Sequence, residues 1–178
     1  MPLLRITHQR GAFTTAQKAQ LAEELTAAIL VAEVGADMPA GRAVAYVLFD
    51  EVDARTSWYV GGKPDLDPPK GGRFLFDVVY PLGAARQVDK TALHGQINAI
   101  VARTLDVDGT FPQRGGDWVL IHEVPDGNWG ASGQTIGIRE INEVAGGTPE
   151  RAEYFEPFLA AQRRMHEAHG YPEQAQRP

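Results

Sequence analysis

Leu3-Leu4-Arg5-Ile6, at the head of the chain, returns as Leu75-Phe76-Asp77-Val78, and Phe49-Asp50-Glu51-Val52 returns as Ile121-His122-Glu123-Val124. Both pairs are separated by one shift of 72 residues, from 3 to 75 and from 49 to 121. The same shift carries Leu21, Leu25 and Ile29 onto Leu93, Ile97 and Val101. An offset kept through three separate segments points to duplication of a single supersecondary unit.

Each copy reads as β-α-β. In copy one a strand over residues 2–8 gives way to a turn, and Thr14 with Gln17 has the spacing of a capping box. The apolar positions Leu21, Leu25, Ala28, Ile29 and Ala32 recur at three and four, as one buried helix face requires. Gly35 to Gly41 breaks that helix, and Ala43–Phe49 reads as a strand buried on both sides. Copy two repeats the order: strand Arg73–Tyr80, helix Asp89–Leu105, strand Asp117–Ile121.

The expected fold class is therefore α/β (α+β). Two tandem β-α-β units form a four-stranded sheet with both helices on one face, and a C-terminal helical extension follows. A single domain over 1–148 contains copy one (2–62), a proline-rich extended linker (63–72) and copy two (73–140). Residues 149–178 form the extension, in which Pro157 should kink or interrupt a helix and Tyr171–Pro178 reads as a frayed polar tail. With both helices on one face, the other face of the sheet needs cover, and a symmetric assembly would supply it.

Composition narrows the partners. A chain of 178 residues with 43% apolar content can bury a real core, and a net charge of −6 without a basic block argues against nucleic acid and anionic membrane. No apolar run approaches the length of a spanning helix, and the first residues lack a signal-peptide pattern, so the cytoplasm is the expected location. Without cysteine there are no disulfides, thiolate metal sites or thiol nucleophiles. The histidines show no metal-ligand spacing, so no metal site is expected.

Pro2 stands directly behind Met1. If Met1 is removed, Pro2 becomes a secondary amine, a base or nucleophile that no side chain supplies. The repeat places Phe74 on Pro2, and an internal residue has no free amine, so a chain has at most one such site.

A Met-Pro start, two fused β-α-β copies and two aromatic, glycine-rich hairpins (Trp58-Tyr59-Val60-Gly61-Gly62 and Trp129-Gly130-Ala131-Ser132-Gly133) together resemble the tautomerase superfamily over about residues 2–140. Its short members are the 4-oxalocrotonate tautomerases, and its double-length members include cis-3-chloroacrylic acid dehalogenase. The resemblance implies a cofactor-independent enzyme in which Pro2 is the general base and acid. Arg86, and with less support Arg10, would bind the carboxylate of a small 2-oxo or enol acid, in keeping with the planar fork of arginine. Trp58 and Trp129 would wall the site, with Tyr46 and Trp118 at positions where short members carry a second arginine. Leu120 and Ala131 stand where the dehalogenases have a tyrosine and a glutamate that activate water.

Three readings remain open at this stage. The first is keto–enol or double-bond tautomerisation. The second is hydration, dehalogenation or decarboxylation of an unsaturated acid. The third is a non-catalytic assembly protein, which would follow if Met1 is retained. The family's six units per ring imply a homotrimer of this doubled chain.

Overall fold

The computed structural model describes residues 2–170, so Met1 and the expected tail Tyr171–Pro178 lie outside the described residues. Copy one comprises β1 (Leu3–Gln9), α1 (Thr15–Val34), a short helix α2 (Pro39–Arg42) and β2 (Tyr46–Val52). A hairpin of β3 (Tyr59–Val60) and β4 (Lys63–Pro64) follows. Copy two comprises β5 (Phe74–Pro81), α3 (Gln87–Leu105), β6 (Trp118–Val124) and the hairpin β7 (Trp129–Ala131) with β8 (Gln134–Ile136). Two further helices follow, α4 (Ile138–Val144) and α5 (Pro149–Ala168).

One mixed sheet in the order β2-β1-β5-β6 carries the repeat. Within each copy the strands are parallel: Leu3 pairs with Tyr46, and Leu75 with Trp118, so the 72-residue shift holds to the residue. The copies join through antiparallel β1 and β5, where Leu3 faces Val79 and His8 faces Phe74. The two copies therefore run head to tail, and the start of β1 lies beside the end of β5.

Alternation along the strands separates two environments. Leu4, Ile6, Phe74, Phe76, Val78 and Tyr80 turn to one face and are buried with Leu21, Leu25 and Ile29 of α1 and Leu93, Ile97 and Val101 of α3. Each such burial contributes about 1.5–3 kcal/mol. The capping box forms: the Gln17 N–H donates to the Thr14 hydroxyl at 3.2 Å, and the Thr14 N–H donates to the Gln17 side chain at 2.9 Å. The other face carries Tyr46, Leu48, Trp118 and Leu120, all exposed.

Several expected boundaries move. The strand read as Ala43–Phe49 begins at Tyr46, because Pro39 starts a helical turn that Ala43 caps. Within one chain it is buried on one side only, since Tyr46 and Leu48 face outward. The expected linker opens with β4 rather than with extended chain, and Asp65 behind it is buried against Arg73 at 2.9 Å. α4 was not foreseen. Pro157 does not interrupt α5: it is exposed, and the carbonyl it leaves without a partner, that of Glu153, belongs to another exposed residue that water can reach. Phe155 and Leu159, buried on either side of it, hold the helix to the core.

Candidate functional site

Pro2 is buried, and its carbonyl accepts a hydrogen bond from the Tyr46 N–H at 3.1 Å. It continues the alternation of Leu4 and Ile6 and so belongs to the helix-covered face. One step beyond the Leu3–Val79 pair, it stands beside Tyr80. The Tyr80 ring is fully buried, and its hydroxyl has no hydrogen-bond partner among the described residues. Burial, then the carboxylates of Glu123, Glu33 and Asp89, push its proton affinity up, against the opposing charge of Arg151.

Those charged groups form a cluster at the Pro2 end of the molecule. Asp89, in the first turn of α3, is the hub. It accepts from the Arg86 backbone N–H at 2.9 Å, from Arg86 Nε at 2.8 Å and Nη2 at 3.0 Å, and from Arg151 Nη1 at 2.6 Å. The hydrogen bond from Arg86, with that from Arg151, holds the Asp89 carboxyl well below the usual carboxylate range against the effect of burial. Arg151 comes from α5 and also donates to the Val31 carbonyl at 3.0 Å. Lys90 and Glu123 pair at 2.5 Å. Glu33, at the end of α1, is 2% exposed. Burial raises its proton affinity.

The expected site residues divide between the two ends of the sheet. Arg86 shares the Pro2 end, in the turn after β5, with its guanidinium half exposed and Nη1 without a hydrogen bond among the described residues. Trp129 also follows a strand that ends there and is half-buried. Tyr46 lies next to Pro2 along the backbone, but its side chain is on the opposite face and 63% exposed. Arg10, Trp58 and Trp118 lie at the other end, a strand of seven residues away, about 20 Å. The chain does not bring these three to Pro2.

That far end shows what became of the second copy's counterpart. Phe74, which replaces Pro2, is buried and stacks on Phe13 with centroids 4.8 Å apart. Its N–H donates to Asp117 at 3.1 Å, and Arg114 lies over its ring. A cavity of about 310 Å³ opens nearby between α3 and β6, lined by His94, Asn98, Asp117 and Val119, and holds none of the expected site residues.

Sequence reading missed Glu33 and Arg151. The signal for Glu33 was present: the stripe 21, 25, 29 extends to 33, where an apolar residue is due and a glutamate stands. No comparable periodic signal marked Arg151.

No protein-family model matches the sequence, and no curated protein matches it. Solved structures do match. The chain is similar to a native fused 4-oxalocrotonate tautomerase at 27% identity, with a TM-score of 0.59 over 75% of this chain and 94% of that one. A fused 4-oxalocrotonate tautomerase described as an asymmetric trimer matches at 24% identity and TM-score 0.60, over 78% of this chain and 98% of that one. A member of the cis-3-chloroacrylic acid dehalogenase family matches at 20% identity and TM-score 0.60, over 86% and 99%, a likeness of fold. The chain thus has the α+β tautomerase fold in its fused, double-length form. No helix among the described residues is long and apolar enough to cross a membrane.

Proposed function

We propose that this chain, which resembles the tautomerase superfamily in fold and in its doubled unit, is a cofactor-independent tautomerase of a small 2-oxo or enol carboxylic acid. The supporting observation is a proline in second place, buried at the head of the sheet, whose counterpart in copy two is an internal phenylalanine, Phe74. With Met1 removed, Pro2 exchanges a proton with a substrate carbon next to the carbonyl, and the enol hydroxyl completes the exchange. A secondary amine suits both directions, because its conjugate acid can return what the base has taken.

Arg86 binds the substrate carboxylate in this reading. Its guanidinium is fixed on one side by Asp89, and Nη1 remains to meet an anion and the negative charge that develops on oxygen. Trp129 walls the same end. Arg10, Trp58 and Trp118, at the other end of the sheet, serve the Pro2 end of a neighbouring copy in a homotrimer that covers the exposed sheet face.

Glu33 favours a second reading. A carboxylate buried at the end of α1, over the start of β1, suits a protonated Pro2 acting as acid on an unsaturated acid, in hydration, dehalogenation or decarboxylation. Turnover of phenylenolpyruvate compared with a haloacrylate separates the two. The proposal expects an intact mass without methionine and a loss of at least about 100-fold in kcat/KM for Pro2→Ala, in the range of acid–base contributions. A retained Met1 turns the nitrogen of Pro2 into an amide and overturns the mechanism in favour of a non-catalytic assembly protein. Unchanged activity in Pro2→Ala is equally damaging.

A further inference from the structure

The buried face of α1 is built on Leu21, Leu25 and Ile29, and that of α3 on Leu93, Ile97 and Val101. The next step of each stripe differs in kind: Leu105 in copy two, 6% exposed, and Glu33 in copy one, 2% exposed. The two positions are related by the same 72-residue shift, and each is in the last turn of its helix. Copy two thus shows what this place in the fold accepts when no amine is present. It accepts leucine. A carboxylate buried in its stead is costly unless a counter-charge meets it.

Topology supplies that counter-charge. In a β-α-β unit the helix runs back along the sheet, so the last turn of α1 lies over the start of β1, where Pro2 is buried. The carbonyl end of a helix itself favours a cation. Every element packed around this place contributes a group: Glu33 from α1, Tyr80 from β5, Arg86, Asp89 and Lys90 from α3 and the turn before it, Glu123 from β6, and Arg151 from α5. Asp89 is held by Arg86 and Arg151, and Glu123 by Lys90. Glu33 is the carboxylate of this cluster borne by the helix that ends over Pro2.

We infer that Glu33 is a positioning residue for Pro2: its carboxylate holds the Pro2 amine in place and in its charged form, so that Pro2 enters the reaction as the proton donor. This rests on the reading of Pro2 as a free amine. With Met1 removed, the charged nitrogen is that of Pro2 itself, buried at the start of β1 under the last turn of α1, where a nearby carboxylate favours the charged form. The proton balance is that of ketonisation. Pro2 gives its proton to the carbon of an enol, and the enol hydroxyl proton passes to Pro2, which is again charged.

The test is a titration of the amino-terminal nitrogen, followed by NMR on protein labelled with ¹⁵N-proline, after the mass has shown that Met1 is gone. The amine of the wild type is expected to bind its proton about tenfold more tightly than that of a free Pro-Leu-Leu-Arg peptide. Glu33→Gln is expected to abolish most of that difference and to move the pH profile of kcat/KM by the same amount. A lost stability alone would not move the profile. If Glu33→Gln does not fold, the comparison of wild type with peptide decides, and equal or weaker proton binding in the protein overturns the inference. A free Pro2 whose titration ignores Glu33 overturns this inference alone; a retained Met1 overturns the proline reading with it.

Discussion

At the scale of single residues, the Pro2 end combines burial and charge in a way that costs stability. Glu33 ionises in an unfolded chain near its ordinary carboxylate range, whereas burial raises its proton affinity in the fold. A group raised on folding contributes stability below its unfolded pKa, about 4.3, and loses it as pH rises. Glu33→Leu, which copies Leu105 of the second unit, removes this loss. Because the amine of Pro2 can give up its proton once its partner is gone, the variant is expected to be more stable than the wild type by about 1 kcal/mol at pH 8, the cost of holding a raised carboxyl group ionised. The gain should shrink toward pH 5. Thermal melts at the two pH values check it, and a destabilised variant at pH 8 would show that the carboxylate strengthens the fold. Activity should fall in the same variant, because stability and function compete at this position.

At the scale of elements, α5 is what this chain adds to the sheet of two units. It docks through Phe155 and Leu159 and through Arg151, which reaches Asp89 and the end of α1. Gly83 makes the approach possible. It has φ +88°, and a Cβ there would lie 2.4 Å from the ring of Phe158. Gly83→Ala therefore combines a left-handed backbone, about 1–2 kcal/mol, with overpacking of about 1–3 kcal/mol. Hydrogen exchange should accelerate across residues 149–168 and leave β1 and α3 protected; unchanged protection of α5 would mean that Phe158 turns aside at no cost. The elements differ in how far the sequence announced them. The stripes of α1 and α3 were legible because burial on one face imposes a period, and the repeat made the two copies equivalent, as their matching registers show. The start of β2 was not, because Ala43, Val44 and Ala45 look like strand while Pro39 has already set a helical turn. β4 was hidden by Pro64, which edge strands tolerate. Of the candidate site, Pro2 was singled out by its position in the sequence and by the resemblance, and the structure adds which residues share its end of the sheet. Arg10, Trp58 and Trp118 were grouped with it by motif, but a parallel β-α-β unit puts the turn after its first strand at the end opposite to that strand's start.

For the whole molecule, the consequence of head-to-tail duplication is a sheet with one covered and one open face. The open face has the pseudo-two-fold pattern of the repeat. Tyr46 and Leu48 stand at one corner and Trp118 and Leu120 at the other, each pair related by 72 residues, and all four are exposed in the single chain. Between them Arg5 faces Asp77 across the β1–β5 junction, with Asp50 beside Arg5 at 3.2 Å and His122 beside Asp77 at 2.8 Å. Apolar corners around a charge-balanced centre suit contact with further copies of the chain better than contact with water. Burying those corners is what the proposed trimer would accomplish. Leu48→Lys combined with Leu120→Lys places two like charges where copies would meet and leaves the covered core untouched, since both side chains point away from α1 and α3. Light scattering after size exclusion is expected to give three chains per particle for the wild type and one for the double variant, with the far-ultraviolet circular dichroism of the variant unchanged. A wild type that runs as a single chain, or a double variant that keeps the mass of the wild type, would show that this face is not where copies meet.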